Sequence, residues 1–271
     1  MRMPAVTCKL VILSSTLLGA LHAHGQDSAE RMSVAAVKAA LSQAHGTTPP
    51  DLSDKNLANL DLVDVDFRGA NLSASVLNGA KLAHARLDHT NLTVSFLEGA
   101  DLSGASLRNA TLFSVQLAGG ILRDADLSGA RLIGDLRRTD LTHARLTRMN
   151  AAADMKNQSM GLMHTSIVNA RAPGADFSDS DFSRAELSFS DFTAAKMVHT
   201  KLVRSDLSGS NLTGVDLTGA DLEDAQLINA DLSHANLTNA NLTGATLTGV
   251  TGLDSAITVG TRGLPAGTLT R

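Results

Sequence analysis

The chain has 271 residues, a formal net charge of −4, and 43% hydrophobic residues, with seven Phe and neither Trp nor Tyr. An ordinary globule of this length fills its core with several large aromatic side chains, so this composition argues against one. Net acidity and the lack of Trp or Tyr for stacking argue against direct nucleic-acid binding.

At the N-terminus, Arg2 and Lys9 flank a basic region, followed by the 12-residue apolar run Leu10 to Leu21. Ala23-His24-Gly25 then offers small residues for cleavage. This layout predicts a secretory signal peptide over 1–25, cut near Gly25, and the apolar run is too short to span a bilayer. The mature protein is then periplasmic or secreted, with no membrane span. Cys8 leaves with the signal, so the mature chain has no cysteine and no disulfide. Loss of Arg2 and Lys9 takes the formal charge from −4 to −6.

Residues 26–50 read as a capping helix and a Pro-rich linker. The helix is predicted over 28–45, with Ser28 as its cap and Val34, Val37, Leu41 and Ala44 on one stripe. His45-Gly46 and then Pro49-Pro50 end it. Placed before a repeat array, such a helix covers the open end of the core.

From 51 to 250 the pattern changes to a period of five. Leu or Phe recurs at 17 registers from Leu52 to Leu132, and a second set of 17 runs from Ile167 to Leu247, where Ala172 alone lacks a large apolar side chain. A small residue stands two places earlier in many units, as in Ala70-Asn71-Leu72, Ala100-Asp101-Leu102, Ala125-Asp126-Leu127, Ala175-Asp176-Phe177, Ala220-Asp221-Leu222 and Ala235-Asn236-Leu237. Five residues fit neither a helical turn nor simple strand alternation. They suit a chain that runs extended for two or three residues and then turns a corner. The small residue and the Leu beyond it then point inward together. Gly often precedes the small residue, as Gly69, Gly79 and Gly99 do, where a corner needs backbone freedom. Leu72, Leu102, Leu127, Phe177, Leu222 and Leu237 are therefore expected in the core.

These units resemble the pentapeptide-repeat family, whose motif is A-[DN]-[LF]-x-x. The resemblance implies an all-β solenoid, a right-handed quadrilateral parallel β-helix with about four units per coil. Its 37 clear registers would make about nine coils and a rod of about 45 Å at the ~4.8 Å spacing of stacked strands. Some members of that family act on DNA gyrase or topoisomerase IV as acidic mimics of DNA, with quinolone resistance as the result. That role is the alternative expectation here. The signal peptide opposes it, and so do Asp206, Asp216, Asp221 and Asp231, which fall on four different sides at four units per coil. Residues 251–271, rich in Gly and Thr, read as a tail without the dimerising helix of those proteins.

The pattern breaks at 133–161. Leu136 follows Leu132 by four residues, Leu141 and Leu146 keep the new phase, 147–161 lose it, and the old phase returns at Leu162. A tolerated bulge and a partner-binding loop both fit this break. Eight basic residues lie between Arg123 and Arg171, against seven acids and no Lys or Arg between Ser205 and Asp254. Arg137, Arg138, Arg145 and Arg148 are accordingly one candidate partner surface. Val76 and Phe96, 20 residues apart at the motif's polar place, should stack on adjacent coils with Val94 near them. They form a second candidate surface unless the N-terminal helix covers them.

Nothing suggests catalysis. His84, His89, His143, His164, His199 and His234 all lie two places after a central apolar residue, at an outward position, and none is 20 residues from another. The reading is a non-enzymatic exported scaffold, monomeric or weakly dimeric, with an unidentified protein partner, no small-molecule substrate, no cofactor and no metal.

Overall fold

The computed structural model describes residues 31–43, 49–153 and 164–264. The expected signal peptide, Ser28, the helix end at His45-Gly46 and Leu162 lie outside them. The described chain is a right-handed, four-sided β-helix. Asp51 pairs in parallel with Asn71, Asn56 with Val76, Asp61 with Lys81 and Asp66 with Arg86. These pairs found four ladders, here called the first to fourth sides.

One unit shows why the period is five. The Leu72 amide donates to the Asn91 carbonyl of the next coil (2.8 Å), and the Ala74 amide to Thr93 (2.9 Å). Asn71 donates back to Pro50 (2.8 Å). The corner is a turn in which the Ala70 amide donates to the Phe67 carbonyl (2.8 Å). Its third residue, Gly69, has φ +70°, as a type II turn requires. The residue two places after the central side chain repeats this left-handed conformation along the rod, whether or not it is Gly, with Gly134 and Ala153 as exceptions. Three bonds between coils and one bond within the turn thus engage four of the five amides, and the fifth, of Ser73, donates to the Asn71 side chain (3.2 Å).

The central side chains and the small residues before them fill the interior. Leu72, Leu102, Leu127, Phe177, Leu222 and Leu237 are all buried, with Ala70, Ala100 and Ala125 beside them. Where Ser or Thr takes the small place, its hydroxyl donates to a nearby central carbonyl, as Ser75 does to Leu72 (2.5 Å) and Thr90 to Leu87 (2.7 Å). A buried hydroxyl is thereby satisfied without disturbing the ladder.

At the N-terminal end, Arg31 pairs with Asn56 and the Met32 amide donates to the Asn56 carbonyl (2.9 Å). Helix α1, Val34–Gln43, follows. It starts six residues later than expected, and its cap is Ser33, whose Oγ accepts from the Ala36 amide (3.1 Å). Pairing of Arg31 and Met32 with the first coil keeps them extended and delays the helix. Val37 is buried in the core, with Met32, Ala40 and Leu41 packed against it. The helix caps the core end as expected.

The break at 133–161 resolves into two separate features. Strand β1 (Thr111–Gln116) pairs in parallel with β2 (Arg131–Asp135), with a register shift between Phe113 and Val115. One residue is missing from the unit after Leu132, so Ile121 pairs with Asp140 and Arg131 with Asn150, 19 residues away rather than 20. The pattern does not dissolve at 147. Arg148 takes the left-handed corner, Asn150 holds its place in the ladder, and Ala151 is a buried central residue. The following coil instead carries eleven extra residues, Asp135 pairing with Ser166 and Asn150 with Asp181. The Ala153 amide still reaches the Ser183 carbonyl (3.4 Å). Thr165 is held in the core by its hydroxyl, which donates to the carbonyls of Leu132 (3.1 Å) and Ala151 (2.9 Å).

The rod also outlasts the sequence pattern. Thr251 pairs with Asp231, Ile257 with Asn236 and Arg262 with Asn241, the last two after a six-residue unit. The span expected as a tail thus begins as another coil. The first ladder climbs in ten steps from Asp51 to Arg262, about 48 Å at ~4.8 Å per step, against the nine coils expected.

Candidate functional surface

Each unit presents three outward places: the ladder residue, the one after the central side chain, and the left-handed corner. The first two are coupled. Asp51 accepts from the Ser53 amide (3.1 Å) and hydroxyl (2.7 Å), Asn91 likewise from Thr93 (3.1 and 2.6 Å), and Asp231 from Ser233 (2.9 and 2.6 Å). The Asx residues of the motif therefore brace their own turns.

Ladder neighbours follow a charge rule. Lys81 stands between Asp61 and Asp101, Arg145 between Asp126 and Asp176, and Arg171 between Asp140 and Asp191. Lys196 stands between Asp176 and Asp216, and Lys201 between Asp181 and Asp221. Stacked like charges are destabilising, and interleaving avoids them. Among the described residues, Glu186 and Asp206 on the second side are the one place where acid sits directly on acid.

Several carboxylates are held below the usual carboxylate range. Bonds from the Ser53 hydroxyl lower Asp51, from the Arg68 guanidinium Asp66, and from the Ser233 hydroxyl Asp231. Burial pushes Asp88, Asp135 and Asp140 upward, but bonds from Arg108, from Arg137, and from Thr142 with Arg123 outweigh it. Asp88 also accepts from the Ser106 hydroxyl. With folded values below the unfolded ones, these groups stabilise the fold above the unfolded carboxylate range, and that stability is lost as pH falls through the folded values. The thermal midpoint should hold level from neutral pH to about pH 4 and then fall steeply. A midpoint unchanged at the acid end would show that these bonds contribute nothing.

The candidate residues separate. Val76 and Phe96 pair on the second side as expected, but Val76 is buried and Phe96 half-buried. The segment entering α1 pairs with Asn56, the residue next to Val76 on that ladder. Val94 occupies the corner before Phe96, 47% exposed, with φ +59°. Arg137 and Arg138 lie on the second side and its corner. Arg145 and Arg148 lie on the fourth, so the rod divides the four arginines between opposite sides. Arg137 is further tied to Asp135 by two bonds (2.8 and 2.6 Å). Asp206, Asp216, Asp221 and Asp231 each stand on a different ladder.

His84, His89, His143, His199 and His234 occupy left-handed corners, with φ between +54° and +61°. His164 departs from this pattern: it is half-buried, and its Nε2 lies 3.0 Å from Glu186 Oε1. Among the described residues, no group of three or more His, Cys, Asp or Glu is placed to hold a metal ion. None of their helices is long and apolar enough to cross a membrane.

Sequence reasoning missed Phe189. It takes the corner where many units have Gly, with φ +57° and 65% exposure. Its ring lies against the next coil at Gly209, where an added Cβ would come within 2.7 Å of ring atoms Cδ1 and Cε1. The signal was present in Ser188-Phe189-Ser190, a large apolar residue two places after a central Leu.

A sequence model of pentapeptide repeats matches in eight copies, over residues 56–93, 97–129, 112–151, 162–197, 173–209, 190–226 and 210–249. No curated protein matches. Similar solved structures include HetL of the cyanobacterium Nostoc sp. strain PCC 7120, a pentapeptide repeat protein involved in heterocyst differentiation regulation. It is 28% identical over 86% of this chain and 99% of its own, with a TM-score of 0.36. Full-length QnrB1, a plasmid-mediated fluoroquinolone resistance protein, is 18% identical over 76% of this chain and 92% of its own, with a TM-score of 0.32. A pentapeptide repeat protein of the Arabidopsis thaliana thylakoid lumen is 22% identical over 62% and 72%, with a TM-score of 0.19.

Proposed function

The chain belongs to the pentapeptide-repeat family, and on that footing we propose that it is a non-enzymatic scaffold which binds another protein through outward corner residues. The observation that carries this reading is the pair Val94 and Phe189. Both are large apolar side chains in the left-handed region, both substantially exposed (47% and 65%). That conformation costs an L-residue about 1–2 kcal/mol, and neither side chain recovers the cost by burial in the core. Other corners share the conformation but hold Gly, Ala or polar residues; a large apolar side chain kept exposed there is the outlier that marks function. The arginines 137, 138, 145 and 148 and the Val76–Phe96 pair belong to the same proposal as secondary contacts.

Export to the periplasm or beyond follows from the basic, apolar and small-residue order of 1–25. A gyrase-directed mimic of DNA is disfavoured, because the acids of the C-terminal half are shared among four ladders rather than gathered into one stripe.

The test is the double variant Val94→Gly, Phe189→Gly. Relief of strain should raise stability by about 1 kcal/mol or more, while retention of a native partner from the cell envelope should drop. Unchanged retention would sink the reading; reduced stability would show that the two side chains serve the fold.

A further inference from the structure

We propose that Phe189 is the anchor of a docking site for a basic segment of a partner polypeptide, one that presents Arg or Lys side chains. This inference rests on the protein-binding reading and names the chemistry of the partner.

Phe189 stands at the corner between the second and third sides. In its own coil it lies between Glu186 on one ladder and Asp191 on the other, and Asp206 continues the second side in the next coil. An aromatic ring offers a negative face to a cation, and flanking carboxylates strengthen that attraction. The edge of Phe189 is already set against Gly209, so the ring is braced before a ligand arrives.

The surrounding charges agree. Glu186 on Asp206 breaks the interleaving that the rest of the ladders maintain, and a cation from outside would relieve that repulsion. His164 contacts Glu186 (3.0 Å), and Arg171 is the neighbour of Asp191 on the third side. Among the described residues no other Lys or Arg neighbours Glu186, Asp191 or Asp206 on the two ladders; Arg184 and Arg204 take the corner before the second side, where Arg204 is paired with Asp224 (3.2 Å). From Ser205 to Asp254 there are seven acids and no Lys or Arg, so an approaching basic segment meets no repulsion over the coils beyond. An acidic or purely apolar partner would add nothing to offset the two stacked carboxylates.

The probes are fluorescein-labelled peptides of alternating Gly and Arg, and of alternating Gly and Glu, titrated onto the full chain at fixed ionic strength. The Arg peptide should bind and the Glu peptide should not. Phe189→Leu, which keeps an apolar side chain but removes the ring, should weaken Arg-peptide binding about 3- to 10-fold. Phe189→Trp should preserve it, and Asp206→Asn should weaken it and flatten its salt dependence. Thermal midpoints of all three variants verify folding. Equal binding by the wild type and Phe189→Leu, or comparable binding of the Glu peptide, overturns the proposal. If the Arg peptide fails while the Val94→Gly, Phe189→Gly variant still loses its native partner, the basic chemistry is wrong and the protein-binding reading stands. If both fail, both are wrong.

Discussion

Gly134→Ala should destabilise the protein by about 3 kcal/mol or more, measured as a shift in the denaturation midpoint with unchanged slope. Gly134 pairs with Val115 where β2 is one residue short of a full unit. An added Cβ would collide with the Val115 carbonyl oxygen and lie 2.8 Å from Cγ1 and 2.9 Å from the amide nitrogen of the same residue. Two of these are backbone atoms, held by the paired strands, so they cannot step aside as a flexible side chain could. Gly99→Ala is the control. Its Cβ would meet nothing within 4 Å, and only its φ of +64° opposes the change, a cost of about 1–2 kcal/mol. Equal losses in the two variants would mean that the close approach at Gly134 relaxes without penalty.

Phe192→Ala should cost about 3–5 kcal/mol, beyond the about 2–4 kcal/mol expected for Leu102→Ala in the regular part of the rod. The difference lies in the neighbours. Arg171 pairs with Asp191, so the central residue next to Phe192 on the third side is Ala172; Asn150 pairs with Asp181, which sets Ala151 next to Phe182 on the first. Two small central residues therefore adjoin two large ones. Phe177 packs edge-on against both, with ring centroids 5.5 Å from Phe182 and 5.7 Å from Phe192. The gap enclosed among these rings, Met197 and Leu202 has no room for a water molecule. Truncation of Phe192 would leave a void beside Ala172 that no neighbour is long enough to refill. The converse change, Ala172→Leu, should overpack the same space and cost about 1–3 kcal/mol. A loss for Phe192→Ala no greater than for Leu102→Ala would show that the aromatic cluster is not compensating for the two alanines.

Much of this architecture was legible in the chain. Period five, the small residue before each Leu, and the Gly before that residue mark one extended step and one type II corner, and each takes its expected place. Val76 beside Phe96, and the division of Asp206, Asp216, Asp221 and Asp231 among four sides, followed from counting in twenties. Local rules misled at the ends and at the break. Ser28 suited a helix cap, but Arg31 and Met32 are drawn into pairing with Asn56, so Ser33 takes the role. Residues 147–151 look irregular because Ala151 replaces Leu, yet the ladder holds them. Residues 251–262 lack the motif and are nevertheless paired with the coil before.

The candidate surface was the least legible part. Arg137, Arg138, Arg145 and Arg148 are close in sequence, but one corner turns the chain by a side, and two corners carry it to the opposite side. Phe189 was hidden for the opposite reason: its neighbours in sequence are ordinary, and its meaning depends on φ, exposure and the coil above.

The sequence by itself determined the repeat, the inward ladders and the four-sided coil, because every five-residue unit carries its own turn chemistry and its own apolar side chain. Tertiary structure alone decided how the short unit at Gly134 and the eleven-residue insertion are absorbed, and which outward residues meet. Stacking between coils joins residues 19, 20, 21 or 31 apart, and no local pattern carries that number once the period slips.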